Sequence, residues 1–433
     1  MNVTNNAYDH LSSVAKTCRF QRESFNTAIF NTADTTVLYS ASMPTAVVTN
    51  AVITNKGLRR VQKGHPWVFE SDIKHTDSDQ PGIVRLLDPQ GNLLGQGLYN
   101  PLSKIAIRLM SKSQDIDDAL IHQRITSATT YRQRVTPGWE AFRVIHSESD
   151  GIPGLTVDKY GDYLVLQQHS AALEPFMLGI LESLKSYYQP KGILARNDSE
   201  LRKLEGLTQE VKVLFGEVPE KISFREGDIS VVAAPYTGQK TGAFLDQREN
   251  HVYTGALSTG LALDVFSYHG GFALQLAKTA QGVIAVDSSA VALSHLQQAA
   301  ELNNLSNIQT IKGDAFDVLR EFVKQEQRFD TIVLDPPAFA KGRTQLENAI
   351  AGYKDINIQA LKLLNLGGKL VTASCSYHLE ETLFYAMLLE AAADAGKQLR
   401  VLARRGQAAC HPERFSMPET RYLKLAVLEV IEV

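Results

Sequence analysis

The chain has 433 residues, a net charge of −3, 44% hydrophobic residues and three cysteines. That length favours two or three domains, the near-neutral charge confines any nucleic-acid contact to local basic patches, and three scattered cysteines supply neither a disulfide framework nor a CxxC metal pair. No run approaches the roughly 18–20 apolar residues that a bilayer crossing needs, so no membrane partner and no metal are expected, and a reduced cytoplasm is the expected compartment.

Residues 1–48 differ from the rest. "NTAIFNTADTTVLYSAS" is rich in Asn, Thr, Ser and Ala without an apolar period. It lacks the basic start and apolar centre of a secretory signal. A mostly disordered tail is expected, with Met43 an alternative start and Cys18 incidental. From residue 49 to 113 short strands predominate. "LRRVQKGHPWVFESDI" clusters Arg59, Arg60 and Lys63 beside His65, Pro66 and Trp67, and "GIVRLLDPQGNLLGQGLYN" predicts a hairpin about Asp88–Asn92. Alone, the three cations predict a solvated face.

Residues 114–234 predict a small α+β domain, opened by the helix "DDALIHQRITSATTYRQRV" and containing turns at Ser149-Asp150-Gly151 and Tyr160-Gly161-Asp162. Residues 235–433 alternate β-branched apolar strands with amphipathic helices of 10–15 residues. That alternation predicts a doubly wound, mostly parallel sheet.

Ligands of such sheets bind at the carboxyl ends of the strands. After "LALDVF" comes Ser267-Tyr268-His269-Gly270-Gly271, a glycine loop that is neither GxGxxG nor a P-loop. After "VIAV" comes Asp287, and after "IQTIKG" comes Asp314. Asp335-Pro336-Pro337-Ala338-Phe339 follows "TIVL", and Cys375 follows "KLVTAS". Singly, each strand-end Asp more often caps a helix, and the free Cys more often fills space. Together, a glycine loop, a ribose-type acid, an adenine-type acid and Asp-Pro-Pro describe a pocket for S-adenosylmethionine (SAM). That cofactor has no pyrophosphate, so the third glycine is not required.

"ALDVFSYHGGFAL", "AVDSS", "KGDAFDVL", "LDPPAFAK", "GYKDIN" and "SCS" resemble motifs I, II, III, IV and VI of class I methyltransferases. "QKTGAFLDQREN" resembles motif X of one branch, the bacterial PUA-containing ribosomal RNA cytosine-5 methyltransferases. "KGHPWVFESDI" resembles the opening of its PUA domain, and "ESDGIPGLTVDKYGDYLVLQ" its central domain. The resemblance implies a PUA domain at 49–113, a central α+β domain at 114–234 and a Rossmann-like domain with a seven-stranded, mostly parallel sheet at 235–433. It implies that Phe266, Ser267 and Gly270 lie under the methionine and sulfonium of SAM, and that Asp287 binds ribose. Asp314 with Ala315 would take adenine, Asp335 would also border the cofactor, and Lys240, Gln247 and Arg248 would close the pocket. His269 stands where a small polar residue is common. Arg59, Arg60 and Lys63 gain weight as RNA-facing, because a PUA module binds RNA by shape and backbone. The implied partner is large-subunit ribosomal RNA, with a homodimer left open.

Two chemistries use Asp-Pro-Pro. Amino methylation needs no cysteine, and its enzymes carry an aromatic residue directly after the prolines, where this chain has Ala338. Carbon-5 of cytosine becomes nucleophilic only after a thiolate adds to carbon-6. Cys375 is therefore the expected nucleophile, with Asp335 on the base edge near N3, while the base that removes the carbon-5 proton is not identified. Cys410 is expected to be structural. The alternatives are an amino methyltransferase and a non-catalytic RNA-binding assembly factor.

Overall fold

A computed structural model describes residues 28–32, 35–39, 48–339 and 345–432. Residues Met1–Val47 and Val48–Val433 are separate compact units. In the first, Ala28–Thr32 and Thr35–Tyr39 pair as an antiparallel ladder, where the composition suggested disorder. The rest of that expectation, and Cys18, lie outside the described residues, as does the end of "LDPPAFAK" from Ala340.

The second unit begins with a six-stranded sheet. Its core of Ala51, Ile53, Val68, Val84, Leu86 and Ile107 is fully buried. The expected hairpin is present as Gly82–Leu87 and Leu93–Tyr99. Asp88 Oδ1 sets its turn by accepting from the amides of Gln90 at 2.9 Å and Asn92 at 2.8 Å, the local competition that makes Asp a turn former. Helix Asn55–Gln62 starts where the Thr54 hydroxyl accepts from Gly57 N at 3.2 Å.

Next come helices Asp118–Val135 and Met177–Tyr188 with a five-stranded sheet running from Ala141 to Gly216, followed by the ribbon Ile222–Glu226 and Ile229–Ala233. Arg143, buried on the first strand of that sheet, grips Asp158 with two bonds of 2.8 Å.

The last sheet has seven strands, here β1 (Leu261–Val265), β2 (Gly282–Asp287), β3 (Ile308–Lys312), β4 (Phe329–Leu334), β5 (Leu364–Ser374), β6 (Gln398–Arg405) and β7 (Lys424–Ile431). Their order is 3-2-1-4-5-7-6, all parallel except β7, which runs antiparallel to both its neighbours. Both faces are buried. Leu263, Val265, Ile332, Leu334 and Leu370 pack on one side, and Ala262, Val283, Ala285, Val333 and Val371 on the other. This is the period-two division that turns continuous apolar runs into central strands. Sequence patterning missed β6, an edge strand with largely exposed side chains, because an edge needs no apolar face. It also missed that β5 starts at Leu364, directly after helix Leu346–Leu363.

Candidate active site

The carboxyl ends of β1, β2, β4 and β5 open on a cavity of about 730 Å³. Phe266 and Ser267 line it after β1, Asp287 after β2, Asp335 after β4 and Cys375 after β5. Lys240 and Gln247 line it from the segment that precedes helix Arg248–Leu257. These seven expected residues are thus brought together, because neighbouring parallel strands deliver all their carboxyl ends to one edge.

The loop after β1 is bent sharply. Phe266 has φ 67° and Tyr268 φ 48°, left-handed values that cost non-glycine residues energy and cluster at functional sites. Asp287 stabilises the bend: its carboxylate accepts from Tyr268 N at 2.9 Å and from Ser289 N at 2.8 Å. Gly270, at φ 84°, does not line the cavity. A side chain there would meet Leu296 Cγ at 2.5 Å, so its part is to let the loop turn into helix Gly271–Leu276 against its neighbour. His269 stacks on Tyr268 with centroids 3.7 Å apart, and burial drops its pKa to about 3, so the ring is neutral.

The reacting end is a cluster of coupled charges. Lys240 Nζ lies 2.6 Å from Asp246 Oδ2, which also accepts from the Tyr422 hydroxyl at 2.7 Å. Burial works against the Asp246 carboxylate, but Lys240 overrides it and holds the pKa at about 2. Asp335 is half-buried beside this permanent anion. Burial first, then Asp246, push its pKa up to about 6, against the opposing pull of His251. Burial and then Asp335 push the Cys375 thiol up to about 11, with Lys240 opposing.

Four expected residues act elsewhere. Arg248 turns away from the cavity. Its guanidinium stacks on Trp139 at 3.6 Å and donates to Ala141 O, tying the helix to the preceding sheet. Asp314 caps helix Ala315–Lys324, accepting from Phe316 N at 2.9 Å and Asp317 N at 3.3 Å. Neither Asp314 nor Ala315 lines the cavity. Arg60 is bound to the buried Asp72 at 2.5 Å and lies over Phe69 at 4.6 Å, so it holds its own module together. Arg59 and Lys63 are exposed on and just after the same helix.

Sequence reasoning missed Asp246, although it sits inside the quoted motif X stretch, and Tyr422, for which no local signal exists. It also missed the buried pair of His251 Nδ1 and Glu226 Oε1 at 2.7 Å, both of which line the cavity. Burial disfavours the charged ring, but Glu226 outweighs it and raises the His251 pKa.

Ser267 Oγ and Asp246 Oδ1, on residues that line the cavity, are among the buried polar atoms without a hydrogen-bond partner among the described residues. Buried polar groups are rarely left unpaired, so a polar ligand fits here. Apolar walls such as Phe266 and Pro336 suit a nucleoside and thioether beside it.

A PUA-like domain family matches residues 52–112, and a methyltransferase domain family matches residues 258–410. Ribosomal RNA large subunit methyltransferase I of Aeromonas salmonicida is 38% identical over 371 residues, 83% of this chain and 94% of that protein. The protein of the same name from Photobacterium profundum is 36% identical over 390 residues, 87% of this chain and 98% of that one. A SAM-dependent methyltransferase structure from Streptococcus mutans superposes with a TM-score of 0.76 at 19% identity, over 88% of this chain and 100% of its own. A methyltransferase solved in complex with SAH gives 0.77 at 19% identity, over 89% and 100%. At these identities the two structures bear on the fold alone. The curated relatives, aligned over nearly their whole length, show that the chain belongs to the ribosomal RNA large subunit methyltransferase I family.

Proposed function

We propose that this chain methylates carbon-5 of a cytosine in large-subunit ribosomal RNA, with Cys375 as nucleophile. The observation that carries this is the sharing of one cavity by Cys375 and Asp335, at the ends of the neighbouring parallel strands β5 and β4. Phe266, Ser267, Asp287 and Gln247 would hold SAM, which supplies an electrophilic methyl group when bound. Asp314, exposed after β3, would take the adenine amino group.

A cytosine must leave its stack to enter such a pocket. The Cys375 thiolate adds to carbon-6, forming an S–C bond, and N3 takes the proton of Asp335. An Asp335 pKa of about 6 keeps part of this carboxyl protonated near neutral pH, as the donation needs. The π electrons now form a carbon-4–carbon-5 enamine, whose carbon-5 is the nucleophile. After methyl transfer N3 returns its proton to Asp335, and a base takes the carbon-5 proton, so that the carbon-5–carbon-6 double bond re-forms and the thiolate leaves.

Phe339 supports carbon over nitrogen methylation. Its ring packs 4.6 Å from Tyr353 and 5.9 Å from Phe316, inside an aromatic cluster, and so is not a free platform for a base. Arg59 and Lys63 support RNA contact through phosphates. Among the described residues no helix is long and apolar enough to cross a membrane, and the proposed reaction belongs in the cytoplasm with its RNA.

The test is covalent trapping. RNA carrying 5-fluorocytosine cannot lose its carbon-5 substituent, so the wild-type protein with SAM should form an adduct that survives denaturation. Cys375→Ala should form none and transfer no methyl group to unmodified RNA. Methylation by Cys375→Ala at near wild-type rate would overturn the assignment, and loss of an N-methyl base from cells lacking this protein would favour amino methylation.

A further inference from the structure

Among the described residues, Lys424 is a buried cation without a carboxylate beside it. It opens β7 and sits opposite Ser374 in the antiparallel β5–β7 ladder. Only 6% of the residue is exposed. Its ammonium donates to Ser376 O at 2.7 Å and to Tyr422 O at 3.0 Å, two neutral acceptors. Of the acids bearing on it, Glu381 is itself bound by Arg421 at 2.7 Å.

Burying an ammonium that no anion compensates is costly. Two carbonyls can be satisfied by a neutral donor, so holding the turn does not explain a positive charge. The flanking residues do. Ser374 is the cross-strand partner and Ser376 the acceptor, so the ammonium rests against the turn that carries Cys375. The Tyr353 hydroxyl, 3.0 Å from Ser376 Oγ, braces the same turn from helix Leu346–Leu363.

We propose that Lys424 is a positioning residue whose buried ammonium lends its positive field to the Cys375 thiolate, the uncompensated charge being matched when the thiol ionises. This rests on the reading of Cys375 as nucleophile. Burial brings the Lys424 pKa down to about 8, opposed by Cys375 and Glu381 and assisted by Arg421. Lys424 is therefore charged at neutral pH and loses its charge as pH rises through about 8. Around the thiol, Asp335 and Asp246 oppose ionisation, and Lys240 supports it from the cavity side.

The experiment is alkylation by iodoacetamide of the full chain, followed on the Cys375 peptide by mass spectrometry across pH, for wild type, Lys424→Gln and Lys424→Arg. Lys424→Gln keeps a donor for the two carbonyls and removes the charge. Its alkylation should run about tenfold slower at pH 7, as expected when an opposite charge is removed from beside a thiolate, and its profile should converge on the wild type above about pH 8, where Lys424 itself loses its charge. Lys424→Arg should restore most of the rate. Calorimetry should give SAM affinity unchanged in both variants. An alkylation profile of Lys424→Gln that superposes on the wild type, with the variant folded, overturns the proposal. So does equal slowing in the Gln and Arg variants, which would mark a purely steric role. These readouts need no RNA, so they stand apart from the trapping experiment that tests Cys375 itself.

Discussion

Lys240 and Asp246 meet at 2.6 Å in the lining of the cavity, and both act on the two strand-end groups Asp335 and Cys375. Its anion is fixed, with a pKa near 2, and it raises both Asp335 and Cys375. One residue of the segment before helix Arg248–Leu257 thus tunes two strand ends that follow it by many residues in sequence.

Asp246→Asn should lower stability at neutral pH by about 1–2 kcal/mol, because it keeps an acceptor oxygen but removes the negative charge that pairs with Lys240. The Lys240 side chain is 35% exposed, so solvent screens the pair and limits the loss. Asp246 has a folded pKa of about 2 against an ordinary 3.8. Its contribution is therefore complete above the ordinary value and is lost as pH falls through the folded one. Urea midpoints of wild type and variant should differ at pH 7 and converge toward pH 2.

The pH dependence of kcat/KM should show no rise between about 7 and 9. Attack needs Asp335 protonated and Cys375 ionised, whereas their pKa values of about 6 and about 11 favour the opposite arrangement. Between two such values the productive form is a constant fraction, about 10⁻⁵ of the free protein. Asp335→Asn removes the acid limb, so its residual rate should instead climb with pH. A wild-type profile rising tenfold per unit from pH 7 to 9 would refute the shared role.

Gly270→Ala should destabilise the protein by about 2 kcal/mol, combining a left-handed alanine with displacement of Leu296. SAM affinity, measured by calorimetry, should fall with it, because the same loop places Ser267.

Arg60 and its neighbours should separate cleanly. Arg60→Ala strips the buried Asp72 of its closest partner and should cost about 2 kcal/mol in a urea melt. Arg59→Ala and Lys63→Ala should leave the melt unchanged. Each should weaken RNA binding and lower the slope of log K against log salt by about one.

The strand-end residues were legible in the sequence because a parallel sheet converts chain order into spatial order. Asp287, Asp335 and Cys375 each follow an apolar run, and the sheet delivers them to one edge. The seven-stranded architecture was legible for the same reason, β6 excepted. Arg248 lies outside the cavity lining because a motif position names a residue without its direction: one step along a helix turns a side chain about 100°, and Gln247 lines the cavity while Arg248 stacks on Trp139.

What the sequence determined by itself was local: strand and helix periodicity, the Asp88 turn, and the residue types at the carboxyl edge. What only the tertiary structure decided was charge. Whether Asp335 is an acid or a carboxylate, and whether Cys375 rests as a thiol, depend on burial and on Asp246, Lys240 and His251 brought from other segments. Coulomb interaction and desolvation act through space, so no spacing along the chain encodes them.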